Sequence, residues 1–252
     1  MIEIFILSAI QGVTEFLPIS SSSHLILVSN YLEFDNQGLT IDVSLHIGSF
    51  FAVILYFYRD LINFYRNKAL FLKILISSLP IMIIGFVFVQ IDLINKVRNV
   101  EVIAWTTILF GILLYFSDKF QLKKNLKNDF DFKSALIIGF LQILSLIPGV
   151  SRSGIAITIA RLLKFKRPDA AKISFLISIP ILAAVSIFGL QNILFSEDAK
   201  FTRLNILTIF LSFIFSFITI KYFLEYIKKF NLNLFVYYRI FLGLVLLTSA
   251  YL

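Results

Sequence analysis

Two short runs of the chain carry polar and ionisable side chains inside otherwise hydrocarbon-like sequence, and their chemistries are complementary. The first is Gln11-Gly12-Val13-Thr14-Glu15-Phe16-Leu17-Pro18-Ile19-Ser20-Ser21-Ser22-Ser23-His24. Glu15, Ser21 and His24 bring a carboxylate, a hydroxyl and an imidazole close together, the inventory for nucleophilic or general acid–base attack on a phosphorus centre. The second is Pro148-Gly149-Val150-Ser151-Arg152-Ser153-Gly154. Gly149 and Gly154 allow close backbone approach, and Arg152 offers a planar fork suited to phosphate. A short helix starting near Ser153 would add free N–H groups and a positive dipole end. The second run is therefore an anion site, with Ser151 and Ser153 assisting, and the first holds what could act on a bound anion. The expectation is that the two runs meet.

Plainer readings exist for each residue. The serines, Ser22 among them, can be helix N-caps, His24 a buried hydrogen-bonded residue, and Arg152 a structural partner for a buried acid. Glu15 is harder to explain that way, because an ionisable group at membrane depth costs a few kcal/mol or more unless it faces protein or a wet cavity. Carboxylate, hydroxyl and phosphate oxygens suit Mg²⁺ or Ca²⁺, with Glu15 as the protein's metal ligand. Zinc is not expected, since the chain has no Cys and only two His. Asp42 and His46, four apart on one helical face, read as support for the first run, as lipid-headgroup contacts or as a structural pair, with support favoured. Arg239, inside the last apolar segment, should snorkel or find an acid.

The elements that position these runs are apolar. With 59% hydrophobic residues, 16% aromatic residues and a mean hydropathy of +0.91, the chain is an integral membrane protein rather than a soluble domain, whose apolar share is nearer ~45–50%. The net charge of +8 is better assigned to cytoplasmic loops and anionic headgroups than to nucleic acid. The segment 2–10 lacks a basic flank and does not read as a cleaved signal.

Spans of ~20 apolar residues are expected at 40–58, 71–90, 101–117, 170–195, 204–225 and 233–252. The segments 2–17, 22–32, 134–147 and 153–163 are too short to cross and pair around Pro18 and Pro148 as re-entrant half-helices, tolerated at depth only where protein covers them or they line a cavity. The fold class is thus an all-α polytopic membrane protein forming one membrane domain. It divides into repeat one at about 1–117 and repeat two at about 134–252, joined by a basic, solvated cytoplasmic connector at about 118–133. Three crossings per half invert the second half relative to the first. Arg59, Arg66, Lys68, the connector lysines, Lys164, Lys166, Arg167, Lys228 and Lys229 fall on one face; Lys96, Arg98, Lys200 and Arg203 fall on the other. The positive-inside rule makes the richer face cytoplasmic.

At these residues the sequence resembles the undecaprenyl-diphosphate phosphatase family, the bacitracin-resistance membrane proteins of bacteria. The family's (Glu/Gln)-x-x-x-Glu pattern corresponds to Gln11–Glu15, continuing to Ser21 and His24, and its Pro-Gly-x-Ser-Arg-Ser-Gly pattern to Pro148–Gly154. The resemblance implies hydrolysis of undecaprenyl diphosphate to the monophosphate and phosphate with a divalent cation, at a site open to the outer face of the bacterial cytoplasmic membrane. It implies catalytic roles for Glu15, Ser21, His24 and Arg152, and substrate contacts from Gln11, Ser22, Gly149, Ser151, Ser153 and Gly154. Gln11 cannot act as a base where the family also allows Glu. Ser23 and Ala156 depart from the common Gly or Ala and Thr, without removing a charged participant. The expected partners are this lipid and the surrounding membrane lipids, with a homodimer open as an assembly. Inverted repeats with broken helices are also transporter architecture, so a lipid flippase using the same midplane site is the alternative. A purely structural scaffold would leave the buried charges unexplained.

Overall fold

Apolar segments at membrane depth have no water for their N–H and C=O groups and close their hydrogen bonds internally. In a computed structural model, which describes residues 1–32, 38–91, 99–120, 123–195 and 203–251, the chain is accordingly helical apart from turns and one isolated bridge between Lys124 and Phe165. The helices are α1 (Ile2–Thr14), α2 (Ser21–Leu32), α3 (Leu39–Tyr56), α4 (Tyr58–Arg66), α5 (Lys68–Gln90), α6 (Val100–Lys119), α7 (Leu126–Asp129), α8 (Phe132–Leu141), α9 (Arg152–Leu162), α10 (Arg167–Phe195), α11 (Arg203–Lys229) and α12 (Asn233–Tyr251), with a 3₁₀ turn at Gln142–Leu146.

Five of the described helices, α5, α6, α10, α11 and α12, are long and apolar enough to cross a membrane, and α3 with α4 makes a sixth path bent by 64°. The bend falls at the end of the span expected at 40–58. Phe57 leaves helical geometry at φ −99°, ψ 19° and is buried against Phe175. Arg59, Asp60 and Arg66 then give α4 a charged face that suits an interface, not the hydrocarbon. By contrast α1, α2, α8 and α9 have 13, 12, 10 and 11 residues, or ~15–20 Å of length at 1.5 Å per residue against a core of ~30 Å. They are half-spans, paired α1 with α2 and α8 with α9.

Several helix pairings of the first half have a counterpart in the second. Helix α1 lies on α11 as α8 lies on α5; α3 lies on α11 as α10 lies on α5; α3 meets α10, and α6 meets α12. Exchanging the halves maps this set of pairings onto itself. Close approach needs small residues: a Cβ on Gly12 of α1 would sit 2.4 Å from Phe215 Cβ on α11, so a side chain there would force the helices apart.

The described residues of the connector are tied down rather than merely solvated, which corrects the sequence expectation for 118–133. Asp118 belongs to the last turn of α6 and is buried, as are Leu126 and Phe130. Leu126 N–H donates to Asp169 Oδ1 (3.0 Å) and Lys73 Nζ to the Phe130 carbonyl (2.6 Å). Asp131 caps α8 by accepting the Ser134 N–H at 2.8 Å, and hydrogen bonding from Ser134 holds its carboxyl below the usual range. Lys96, Arg98 and Lys200, counted in the orientation argument, lie outside the described residues.

Candidate active site

Both polar runs turn by the same backbone device. Pro18 and Pro148 lack the N–H that a continuing helix would need. In each run a serine then takes a left-handed conformation immediately before the next short helix: Ser20 at φ 74° before α2, and Ser151 at φ 71° before α9. Gly149, at φ 92°, has no room for a side chain, since a Cβ would come within 2.0 Å of Thr106 Oγ1. Ser151 caps α9, its Oγ accepting the Gly154 N–H at 3.1 Å.

The two turns are locked together from behind by Arg239. The side chain is 1% exposed and neither snorkels nor meets an acid, contrary to both sequence expectations. Instead Nη1 donates to the carbonyls of Pro18 and Val150 (both 3.1 Å), Nη2 to Gly149 (2.8 Å) and Nε to Thr107 (3.1 Å). Strained turns leave carbonyls out of helical ladders, and a guanidinium with five donors in a fixed fork satisfies several at once. Sequence alone could place Arg239 only in a span; its partners are backbone atoms, which leave no trace in residue types.

In front of the turns lies a cavity of about 250 Å³, lined by Glu15, Ser20, Ser21, Ser22, His46, Ser145, Ser151 and Arg152 on its polar side and by Ile81, Leu146, Ile181, Leu182 and Val185 on its apolar side. Glu15 joins the two runs there. Its Oε1 receives Arg152 Nη2 at 2.9 Å, and its Oε2 receives Ser21 Oγ at 2.7 Å and Gln11 Nε2 at 3.1 Å. The remaining contacts of Arg152 are longer and go to the carbonyls of Ser174 (3.3 Å) and Glu15 (3.5 Å). A guanidinium held this loosely, at the edge of a cavity, retains donors for an anion. The N-termini of α2 and α9 face the same space, adding positive dipole ends.

Gln11 sits one layer behind, fully buried, and its amide nitrogen also meets His46 Nδ1 at 3.1 Å. An amide NH₂ has two hydrogens and serves both partners, so His46 Nδ1 is an acceptor. His46 thus supports Glu15 through Gln11 while lining the cavity, the supporting role expected of its helical face. Ser153 faces away and ties α9 to the first run by donating to the Leu17 carbonyl at 2.7 Å. Gly149 and Gly154 shape the turn and are not among the cavity's lining residues. His24 also stands apart from the cavity. Its Nδ1 bonds the Ser20 carbonyl at 2.6 Å and its Nε2 the Tyr238 hydroxyl, the two rings stacking at 5.7 Å. Ser20 and Ser145 line the cavity but were not singled out in sequence, where one serine in a run looks like the next.

Among the described residues no group of three or more His, Cys, Asp or Glu gathers in one place. Glu15 is the single carboxylate at the cavity among them. Mg²⁺ is commonly held by one or two carboxylates together with substrate phosphates, so this donor set fits a cation that arrives with a phosphate, not a preformed cage.

A family model described as "Bacitracin resistance protein BacA" matches residues 4–245. A protein of Pelagibacter ubique (strain HTCC1062) named undecaprenyl-diphosphatase is 48% identical over 252 residues, covering 100% of this chain and 98% of that one. Proteins of the same name from Chromohalobacter salexigens and Jannaschia sp. are 42% and 37% identical, covering 96% and 98% of each pair's chains.

Proposed function

The chain belongs to the bacitracin resistance protein BacA family, and from that membership we propose that it hydrolyses undecaprenyl diphosphate to undecaprenyl phosphate and inorganic phosphate, returning the carrier lipid to cell-wall synthesis. The observation that carries the reading is Glu15, whose two carboxylate oxygens join a hydroxyl of one run to the guanidinium of the other at the wall of one cavity.

Arg152 engages the diphosphate oxygens with the donors it now spends on long carbonyl contacts, and the helix ends of α2 and α9 add N–H groups. Ser21 Oγ attacks the terminal phosphorus, the bond to the bridging oxygen breaks, and the prenyl monophosphate departs. The Ser21 proton passes to Glu15 Oε2, with which it already shares a hydrogen bond. Water then attacks the phosphoserine, phosphate leaves, and Ser21 recovers its proton through Glu15, so atoms and protons balance. Gln11 and His46 hold the carboxylate in place. His24, with both ring nitrogens engaged, steadies the Ser20 turn from its far side rather than attacking. A divalent cation bound by Glu15 and the serine hydroxyls would neutralise charge on the phosphate oxygens.

The protein is a multi-pass membrane protein. Arg66, Lys68, Lys119, Lys166, Arg167, Lys228 and Lys229 mark helix ends drawn together by Lys172–Asp60 (2.7 Å) and by Leu232 N–H to Asp118 (3.0 Å). That end is cytoplasmic by the positive-inside rule, and the exchange of packing between halves supports inverted repeats. The site then opens outward from the bacterial inner membrane.

Phosphate release by purified protein in detergent, where transport cannot be scored, tests the reading. Release by the wild type, its loss in Glu15→Gln and Arg152→Ala, and its loss and recovery on chelation and return of Mg²⁺ are expected. A phosphorylated peptide containing Ser21 should be trapped by rapid acid quench and found by mass spectrometry. Wild-type protein that releases nothing under any divalent ion would favour a transporter.

A further inference from the structure

The headgroup cavity has an apolar wall, and that wall continues. A groove of about 330 Å³ runs between α5 and α10, bounded entirely by apolar residues and Gly85. Four residues, Ile81, Leu146, Ile181 and Val185, line both the groove and the cavity that holds Glu15 and Arg152. Another apolar depression, beside Val13 and Tyr222, shares no residue with that cavity. Along α5 the groove extends from Ile81 to Val89, ~12 Å at 1.5 Å per residue, and both Phe86 and Val89 are exposed on its outer lip. In a chain built to sit in a bilayer, such a groove opens laterally to lipid, so a hydrocarbon chain can enter from the side while its polar head stays in the cavity.

We propose that the first isoprene units of the substrate's tail leave the headgroup cavity through this α5–α10 groove, passing over Gly85, and that the remainder of the tail lies in the bilayer. The proposal rests on the hydrolytic reading above and adds the path of the tail and the residues that measure its length. Gly85 is the point at which the groove is open by default. A Cβ there would come 3.3 Å from Leu146 Cδ2, so any larger side chain fills the groove and presses on the wall shared with the cavity. On α10, Ala184 lines the groove without lining the cavity, which makes it the cleaner position for an obstruction.

Dimethylallyl, geranyl, farnesyl and undecaprenyl diphosphates distinguish the outcomes, each kcat/KM being taken relative to the same variant's value on dimethylallyl diphosphate. Wild-type protein should gain with each added isoprene until the groove is full and then level off. Ala184→Phe and Gly85→Phe should flatten that gain by roughly tenfold or more, the usual scale for steric discrimination in an apolar pocket. Ile187→Phe, on the exposed face of α10, should keep the wild-type profile. An unchanged profile in Ala184→Phe overturns the path, as does an equal loss at every chain length, which would mark damage to the cavity instead. Should Gly85→Phe fail to accumulate, Gly85→Ala with Ala184→Phe decides on the same readout. Absence of phosphate release by the wild type from all four substrates would instead overturn the hydrolytic reading, and the tail path with it.

Discussion

Glu15 meets Arg152 at the edge of a cavity, whereas Asp118 meets Arg161 and Arg167 where the ends of α6, α9, α10 and α12 converge. Asp118 accepts four donors: Arg161 Nη2 at 2.9 Å, Arg167 Nε at 2.8 Å and Nη2 at 3.0 Å, and the Leu232 N–H at 3.0 Å. Glu15 accepts a single ionic contact, and its other oxygen goes to a hydroxyl and an amide, both uncharged. The two pairs look alike in sequence, an acid and an arginine near helix ends. What separates them is how their donors are spent. Around Asp118 they close a junction between elements distant in sequence. At Glu15 they leave a guanidinium with capacity and a hydroxyl already directed at a base, beside a space of about 250 Å³. An acid–arginine pair is equipped for chemistry when it is incompletely satisfied and has somewhere to put a substrate.

The sharpest way to break this contrast is to remove each acid in turn. Glu15→Gln keeps the shape but removes the proton acceptor and the charge, and should lower phosphate release by roughly a thousandfold or more, within the range for general-base catalysis. Thermal stability in detergent should barely move, because Arg152 faces a cavity many times the ~30 Å³ of a water molecule and can be hydrated there. A large fall in melting temperature would show that the Glu15 pair is structural after all.

Asp118→Ala should do the reverse. Removing one partner of a buried ion pair typically costs ~3–5 kcal/mol. The lower end is expected here, because Arg161 keeps the Phe165 and Phe120 carbonyls as acceptors (3.1 and 3.4 Å). The measurement is a melt in detergent, accompanied by the rate per folded molecule, which should hold. Arg152→Lys sharpens the comparison at lower amplitude. A lysine keeps the charge but loses the fork, so kcat/KM should fall roughly ten- to a hundredfold, with each decade worth ~1.4 kcal/mol. A fall as deep as that of Arg152→Ala would mean that geometry, not charge, is the whole of the arginine's contribution.

Much of this arrangement was legible in residue types. Polar side chains in apolar sequence cost too much to lack a partner, which is why Glu15 and Arg152 could be matched across more than a hundred positions, and why segments shorter than a bilayer could be read as half-helices. What sequence could not supply was direction. His24 and Ser21 sit three residues apart in α2, yet only Ser21 bonds the carboxylate, while both ring nitrogens of His24 are taken by the Ser20 carbonyl and the Tyr238 hydroxyl on α12. Arg239 was unreadable because it bonds backbone carbonyls in two turns. Asp118 was mistaken for part of a solvated connector because its partners, Arg161 and Arg167, come from a different helical hairpin. The span expected at 40–58 stops at the bend because Arg59 and Asp60 end the apolar run there, and the charged face of α4 begins with them.

The smallest effect tests the interior of the Asp118 junction itself. Arg161 and Arg167 share one carboxylate, but the Arg161 side chain is 4% exposed and that of Arg167 34%. Exposed ion pairs usually contribute ~1 kcal/mol or less and weaken with salt, whereas a desolvated donor holding backbone carbonyls cannot be hydrated in place. Arg167→Gln should therefore lower the melting free energy by ~1 kcal/mol or less at low salt, and by less still as ionic strength rises. Arg161→Gln should cost more, at every salt concentration, because the carbonyls of Phe165, Asp118 and Phe120 lose their donor together. Equal losses from the two variants, with the same salt dependence, would mean that the carboxylate alone holds the junction and that burial does not distinguish its two arms.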